Sequence, residues 1–198
     1  MILRDYLPFE ITPQQINESI NNNAGKLIVK GIMQRADSFN FNGRRYPRAI
    51  LEREVNKYLI EIKERRALGE LDHPDSQQIN LNNASHNVVE MHWDGNDLVG
   101  TIEVLDTPSG KILKELFKAG IKLGISSRGM GSVKNLDEQG HVEVDDDFSL
   151  LCFDFVSRPS TVGAYMNSIH EGVNNINHSN KYLEIERIIT EIISDFKQ

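Results

Sequence analysis

Apolar residues recur along this chain with two periods, and the switches between them outline its elements. Leu27 to Met33 is a β-branched, apolar run that predicts a first core strand. A polar loop from Asn40 to Tyr46 follows. Behind Pro47, which suits a first helical turn, Ile50, Leu51, Val55, Tyr58, Leu59 and Ile62 fall at helical spacing. Gly69 reads as the stop of that helix, and a polar, Asn-rich loop then reaches Asn87. Val88 to Trp93 and Leu98 to Val104, joined through Asp94-Gly95-Asn96, predict a β-hairpin. Thr107 and Pro108 predict the cap and first position of a second helix, with Ile112, Leu113, Leu116 and Phe117 as its apolar face and Gly120 as its stop.

The rest of the chain returns to period two. Ile121 to Arg128 predicts a strand that runs into a glycine-rich stretch, and a loop with Asp137 and Gly140 leads to strands at His141–Val144 and Phe148–Ser157. A short helix is expected around Val162 to Ile169. The two ends read differently. Residues 1–25 form an N-terminal appendage broken by Pro8 and Pro13, with a turn-rich linker at Asn21 to Gly25. Residues 171–198 are a linker followed by an amphipathic helix, its stripe made by Ile185, Ile188, Ile189, Ile192, Ile193 and Phe196. The main domain is then 26–170. Its element order predicts an α+β class, mostly antiparallel, as a small β-barrel or a sheet flanked by helices.

Composition narrows the function classes. With 198 residues, 39% apolar and 26% charged, the chain has the make-up of a soluble globular protein with one sizeable core. A formal net charge of −7 argues against nucleic acid as the main partner. The basic groups at Arg44, Arg45 and Arg48, and at Lys63, Arg65 and Arg66, read as solvated faces. No stretch is long and apolar enough to span a bilayer, and Met1-Ile2-Leu3 before Arg4 is too short for a signal peptide's apolar region, so an intracellular or intravirion protein without a membrane partner is expected. The single cysteine, Cys152, lies in an apolar run and reads as a buried structural thiol.

Two serines stand together in Gly124-Ile125-Ser126-Ser127-Arg128-Gly129-Met130-Gly131. Strand alternation puts Ile121, Leu123, Ile125 and Ser127 on one face, and Lys122, Gly124 and Ser126 on the other. The first face is apolar and reads as core. The second reads as open, so Ser126 is either a nucleophile presented to a cleft or an ordinary strand serine, and Ser127 a core or rim hydroxyl. The segment lacks the Gly-x-Ser-x-Gly spacing of a hydrolase elbow and the Gly-Lys-Ser/Thr ending of a phosphate loop. Gly69-Glu70-Leu71-Asp72-His73-Pro74 offers His73 at a turn, as a base or as a solvated ring. His86, His92, His141, His170 and His178 lack the tight spacing of a zinc site, and Asp145-Asp146-Asp147 lacks the glycine and distal glutamate of a calcium loop, so neither metal nor cofactor is expected. Asp154 interrupts a run that is apolar on both faces. A buried carboxylate needs a partner: either a histidine that it orients, or an arginine such as Arg158.

Taken in order, Asn42-Gly43-Arg44-Arg45-Tyr46-Pro47, the Gly69–Pro74 motif, Trp93 with Gly95-Asn96-Asp97, the Gly124–Ser132 segment and Asp154 to Ser160 resemble the prohead core proteases of T-even-type tailed phages, over roughly residues 26–165. The resemblance implies a serine endopeptidase with the herpesvirus assemblin-like fold. Such an enzyme is enclosed in the phage prohead within the host cytoplasm, digests scaffold and core proteins and trims capsid components. It implies Ser126 as nucleophile, His73 as base and Asp154 as the third member, where the herpesvirus branch has a second histidine. Ser127, Arg128 and Gly129 then become candidates for the oxyanion site, through their backbone amides and, at Arg128, the side chain.

It further implies cleavage after glutamate with an aliphatic residue two positions earlier, a rule that Ile189-Thr190-Glu191 fits and Leu7-Pro8-Phe9-Glu10 breaks at Pro8. Glu10 and Glu191 are the candidate self-cleavage positions. The N-terminal appendage is expected to act as a tethered self-inhibitor, and a homo-oligomer is expected. Two other classes compete with the protease: a catalytically silent scaffold-binding head protein of the same fold, and a metal-dependent hydrolase using His73, His86 and Asp72.

Overall fold

The alternation seen between residues 84 and 104 is realised as a long hairpin at the centre of the molecule. A computed structural model describes residues 2–8, 13–121, 123–157 and 166–168. Strands β1 (Ile2–Pro8), β2 (Leu27–Arg35), β3 (Arg44–Arg45), β4 (Leu68–Glu70), β5 (Ala84–Asp94), β6 (Asp97–Val104), β7 (Gly124–Met130), β8 (Val133–Asn135), β9 (Val142–Val144), β10 (Ser149–Val156) and β11 (Met166–Ser168) are joined by helices α1 (Pro13–Asn22), α2 (Arg48–Lys63) and α3 (Pro108–Lys118). The fold is α+β. Among the described residues the strands form three open sheets rather than a closed barrel, ordered β11-β2-β6-β5-β4, β1-β7-β10 and β3-β9-β8. All pairings are antiparallel except β3 with β9.

Local chemistry explains most of these boundaries. Gly95, at φ +57, and Asn96 make the two-residue turn that the Asp94-Gly95-Asn96 signal predicts. Thr107 caps α3 by accepting from the Gly110 amide at 3.1 Å, and Gly120, at φ +72, follows its end. Helix α2 stops earlier than expected. Arg65 takes the left-handed conformation, φ +55, just past Lys63, so the chain has already turned when it reaches Gly69. Gly69 has a different task. A Cβ on it would lie 2.0 Å from the Phe153 carbonyl oxygen and 2.3 Å from His86 Nε2. Its bare backbone is what lets β4 press against β10.

Other expectations are corrected at the ends of elements. Pro13 opens helix α1 instead of breaking structure, and Ile16 of that helix is fully buried, so part of the expected appendage belongs to the core. The Asn-rich loop ends at Ala84, placing His86 and Asn87 inside β5. Residues 166–168, expected in a short helix, form β11 on the edge of β2. The C-terminal amphipathic helix, Glu191, Glu10, Lys122 and Arg158 lie outside the described residues.

One apolar cluster holds the sheets together. It joins Ile16 of α1, Leu27 and Val29 of β2, Val55 and Tyr58 of α2, Leu113 and Phe117 of α3, Ile125 of β7, and Phe153 and Phe155 of β10. Phe155 packs edge-on against both His86 and Phe117, and Phe153 edge-on against Tyr58. Thus β7 and β10 are pinned from one side by a dry core, leaving the other side for polar chemistry.

Candidate active site

Strand β7 is the middle strand of its sheet, with Ser126 paired to Asp154 on β10 and to Tyr6 on β1. The pairing with Asp154 depends on a bulge. The register shifts between Leu150 and Cys152, so one extra residue, Leu151, enters β10. Without it Phe153 would face Ser126, and Asp154 would face Ile125. With it, Asp154 and Cys152 share a face with Ser126 and Arg128, because directly opposed residues of antiparallel strands project to the same side. Buried Glu54 of α2 supports this place by accepting the Leu150 amide at 3.2 Å.

Above that face the chain leaves β4 and turns sharply. Asp72, at φ +71, donates its amide to the Phe155 carbonyl at 2.7 Å, and its carboxylate accepts the His73 amide at 2.9 Å. The turn drops the His73 ring between the serine and the carboxylate. Nδ1 is 2.8 Å from Asp154 Oδ2, and Nε2 is 2.6 Å from Ser126 Oγ. An ionised carboxylate only accepts, so the ring proton belongs on Nδ1, and Nε2 is left to accept from the serine hydroxyl.

Asp154 is fully buried, which by itself would raise its pKa. The hydrogen bond from His73, the charge of Arg128 and the Glu70 amide outweigh that effect and hold it below the ordinary aspartate value. The carboxylate is therefore kept ionised. Its two sequence-level readings, a histidine partner or an arginine partner, are both realised at once: Arg128 Nε lies 3.0 Å from Oδ2.

The open face expected for Ser126 is closed. The serine is 1% exposed, beneath a His73 side chain that is itself 13% exposed. Ser127 points the other way, where its hydroxyl accepts from Gln34 Nε2 at 3.0 Å in the interior. The Arg128 side chain does not reach toward Ser126 as an oxyanion donor. It is buried among Glu70, Asp154, Cys152 and the Ser76 carbonyl. Gly129 leaves room for the Phe148 ring, 2.5 Å from where a Cβ would lie. Glu70 is the buried neighbour that sequence reasoning passed over, although it stands inside the His73 motif.

This arrangement can carry nucleophilic acyl transfer: a hydroxyl, a base within hydrogen-bond reach, and a carboxylate that orients the base. A model of the prohead core protein serine protease family matches residues 11–177. The chain belongs to that family. It is 36% identical over 144 residues to the prohead core protein protease of enterobacteria phage T4, covering 71% of this chain and 68% of that one. Its structure is similar to that of the bacteriophage T4 capsid assembly protease, with a TM-score of 0.66, 29% identity, and coverage of 79% of this chain and 97% of the other.

For a member of this family, the metal-hydrolase alternative lacks its ligand set. His86 is buried in β5, donating from Nε2 to the Phe153 carbonyl at 2.9 Å and accepting at Nδ1 from Ser85 at 2.8 Å. No group of His, Cys, Asp and Glu residues that could hold a metal ion occurs among the described residues. No helix there is long and apolar enough to cross a membrane. Asp145, Asp146 and Asp147 are taken up separately by Lys134, Arg53 and Ser132.

Proposed function

We propose that the chain is a serine endopeptidase that works inside the phage prohead, in the infected cell, on scaffold, core and capsid proteins. Ser126 is the nucleophile, His73 the general base and Asp154 the group that orients it. The observation that carries this reading is the unbroken chain of short contacts from Ser126 Oγ through both ring nitrogens of His73 to Asp154. His73 Nε2 takes the serine proton as Oγ attacks the peptide carbonyl, and Asp154 stabilises the imidazolium that forms. The same proton passes to the leaving amine, and water then releases the acyl group by the reverse sequence. Backbone amides at Ser127, Arg128 and Gly129 are the candidate donors to the oxyanion.

The preferred site on a substrate is the bond after glutamate with an aliphatic residue two positions before it, and Glu191 in this chain meets that rule. The N-terminal segment is a self-inhibitor in this reading. Its β1 runs antiparallel along β7, with Tyr6 opposite Ser126 and Pro8 opposite Gly124, so the backbone edge a substrate strand would use is taken. Tethering gives such a segment a high effective concentration even if its sequence is poor. Cleavage after Glu10 would let β1 leave and free the β7 amides that face it.

Intact-mass analysis tests the whole reading. Wild type incubated with a peptide containing Ile-Thr-Glu is expected to cut after the glutamate and to yield a chain starting at Ile11. Ser126→Ala should do neither. Equal mass and equal peptide for the two proteins would favour the silent scaffold-binding reading instead.

A further inference from the structure

The buried guanidinium of Arg128 touches both halves of the catalytic apparatus. On one side it meets the acid: Nε is 3.0 Å from Asp154 Oδ2, and Nη2 is 3.3 Å from Oδ1. On the other it meets the loop that carries the base. Nη1 donates to the Ser76 carbonyl at 2.9 Å, three residues beyond His73. Nη2 also donates to Glu70 Oε1 at 2.9 Å, and that same oxygen accepts the Asn80 amide at 3.0 Å. The Glu70 amide in turn donates to Asp154 Oδ1 at 2.9 Å. Arg128, Glu70 and Asp154 are all at most 1% exposed.

We propose that Arg128 and Glu70 form a positioning pair that fixes the His73 loop relative to Asp154, and so sets the orientation of the base. The inference rests on the reading of Ser126, His73 and Asp154 as a triad. His73 lies on the loop between β4 and β5, with Pro74 after it. The loop is tied before the histidine by the Asp72 amide on Phe155 and after it by Ser76 and Asn80. The ties at Ser76 and Asn80 both run through the Arg128–Glu70 pair. A guanidinium suits the task because its planar fork holds several acceptors in fixed directions, whereas an ammonium on a flexible stem cannot.

A buried ion pair is also a costly feature if stability is its sole purpose, since apolar residues of similar volume often serve as well. That contrast supplies the test. The double variant Arg128→Met with Glu70→Leu removes the ties together with both charges of the pair, and leaves Asp154 its hydrogen bonds to His73 and the residue-70 amide. Folded full-length protein, checked by circular dichroism, is assayed on a peptide containing Ile-Thr-Glu. We expect kcat to fall roughly 100-fold with KM little changed, the size expected when a reacting group is misplaced by about 1 Å. Wild-type kcat in the folded double variant would overturn the pair's role.

A second readout does not need activity. Nitrogen NMR of the histidine ring should report one neutral tautomer for His73 in wild type, protonated at Nδ1, and a solvent-like mixture in the double variant. An unchanged tautomer there overturns the inference whatever the rates are. If wild type itself fails to cut the peptide, the protease reading falls while the NMR comparison still decides the positioning claim. Should the double variant not fold, Arg128→Lys decides. A lysine keeps the charge and loses the fork, so a drop in kcat of about 10-fold or more, with a mixed tautomer, is expected. Wild-type values for both would refute it.

Discussion

Ser126 and Ser127 are adjacent in the chain, yet one hydroxyl meets His73 and the other Gln34. Ser126→Ala should therefore abolish peptide cleavage in a protein that still folds. Ser127→Ala should keep substantial activity and lose about 1–3 kcal/mol of stability, because the buried Gln34 amide loses its acceptor; an inactive Ser127→Ala beside an active Ser126→Ala would reverse the assignment. Asp154→Asn should lower kcat on the order of 10⁴-fold in a folded protein, since an amide can donate to His73 and favour the wrong tautomer. His86 gives a pH effect of clear sign. Burial lowers its pKa from 6.5 to about 4, so the unfolded chain binds a proton that the native state refuses. Stability from this residue is full above pH 6.5 and falls as the pH drops toward 4, by roughly 3 kcal/mol in all. Asp154, whose native pKa is lowered from the ordinary 3.8, adds a separate loss at lower pH, as the pH falls through that value. Urea titrations at pH 7 and pH 4.5 measure the His86 loss directly, and a His86→Gln variant should show a shallower slope. At this scale the sequence was informative about which serine faces the base, because alternation is local. It was silent on burial, since what covers Ser126 is a loop fifty residues earlier.

Elements were legible where the apolar period was long. The β5–β6 hairpin, α2 and α3 all follow from patterns of six residues or more, with turn and cap residues in agreement. Elements of two or three residues, such as β3, β4, β8 and β11, carry no period to read and exist only through their partners. The Leu151 bulge is the telling case. It reverses the face of Asp154 relative to Ile125, and no local signal in an unbroken apolar run announces it. Glu54 stabilises the bulge from α2, so Glu54→Ala should strip the Leu150 amide of its acceptor and leave Arg53 and Lys57 without their shared carboxylate. A stability loss of about 1–3 kcal/mol and a lowered kcat are expected together; stability loss with full specific activity would show that the bulge survives without it. Gly69→Ala is the stricter test of β4 against β10. The added carbon meets backbone 2.0 Å away, which cannot step aside as a side chain could, so failure to fold or a very large drop in melting temperature is expected.

At the scale of the whole molecule, one apolar core joins a five-stranded sheet to the three-stranded sheet that carries Ser126 and Asp154, and the His73 loop crosses between them. Deleting residues 1–10 should shorten the lag before peptide cleavage, and it should also bare the β7 edge, an unpaired ladder prone to pair with other chains. Light scattering beside the activity trace would separate those effects, and an unaltered lag would argue against self-inhibition. The position of Cys152 has a practical corollary. The thiol is the only one in the chain, is fully buried and is hydrogen-bonded between Arg128 and Asp154; burial pushes its pKa up. It cannot react with a thiol reagent until β10 parts from its neighbours. Its alkylation rate is therefore a clock for breathing of the β1-β7-β10 sheet, read by mass spectrometry without any engineered label. Ligands that brace the sheet should slow the clock, and acid should speed each opening even as it suppresses the thiolate that is trapped.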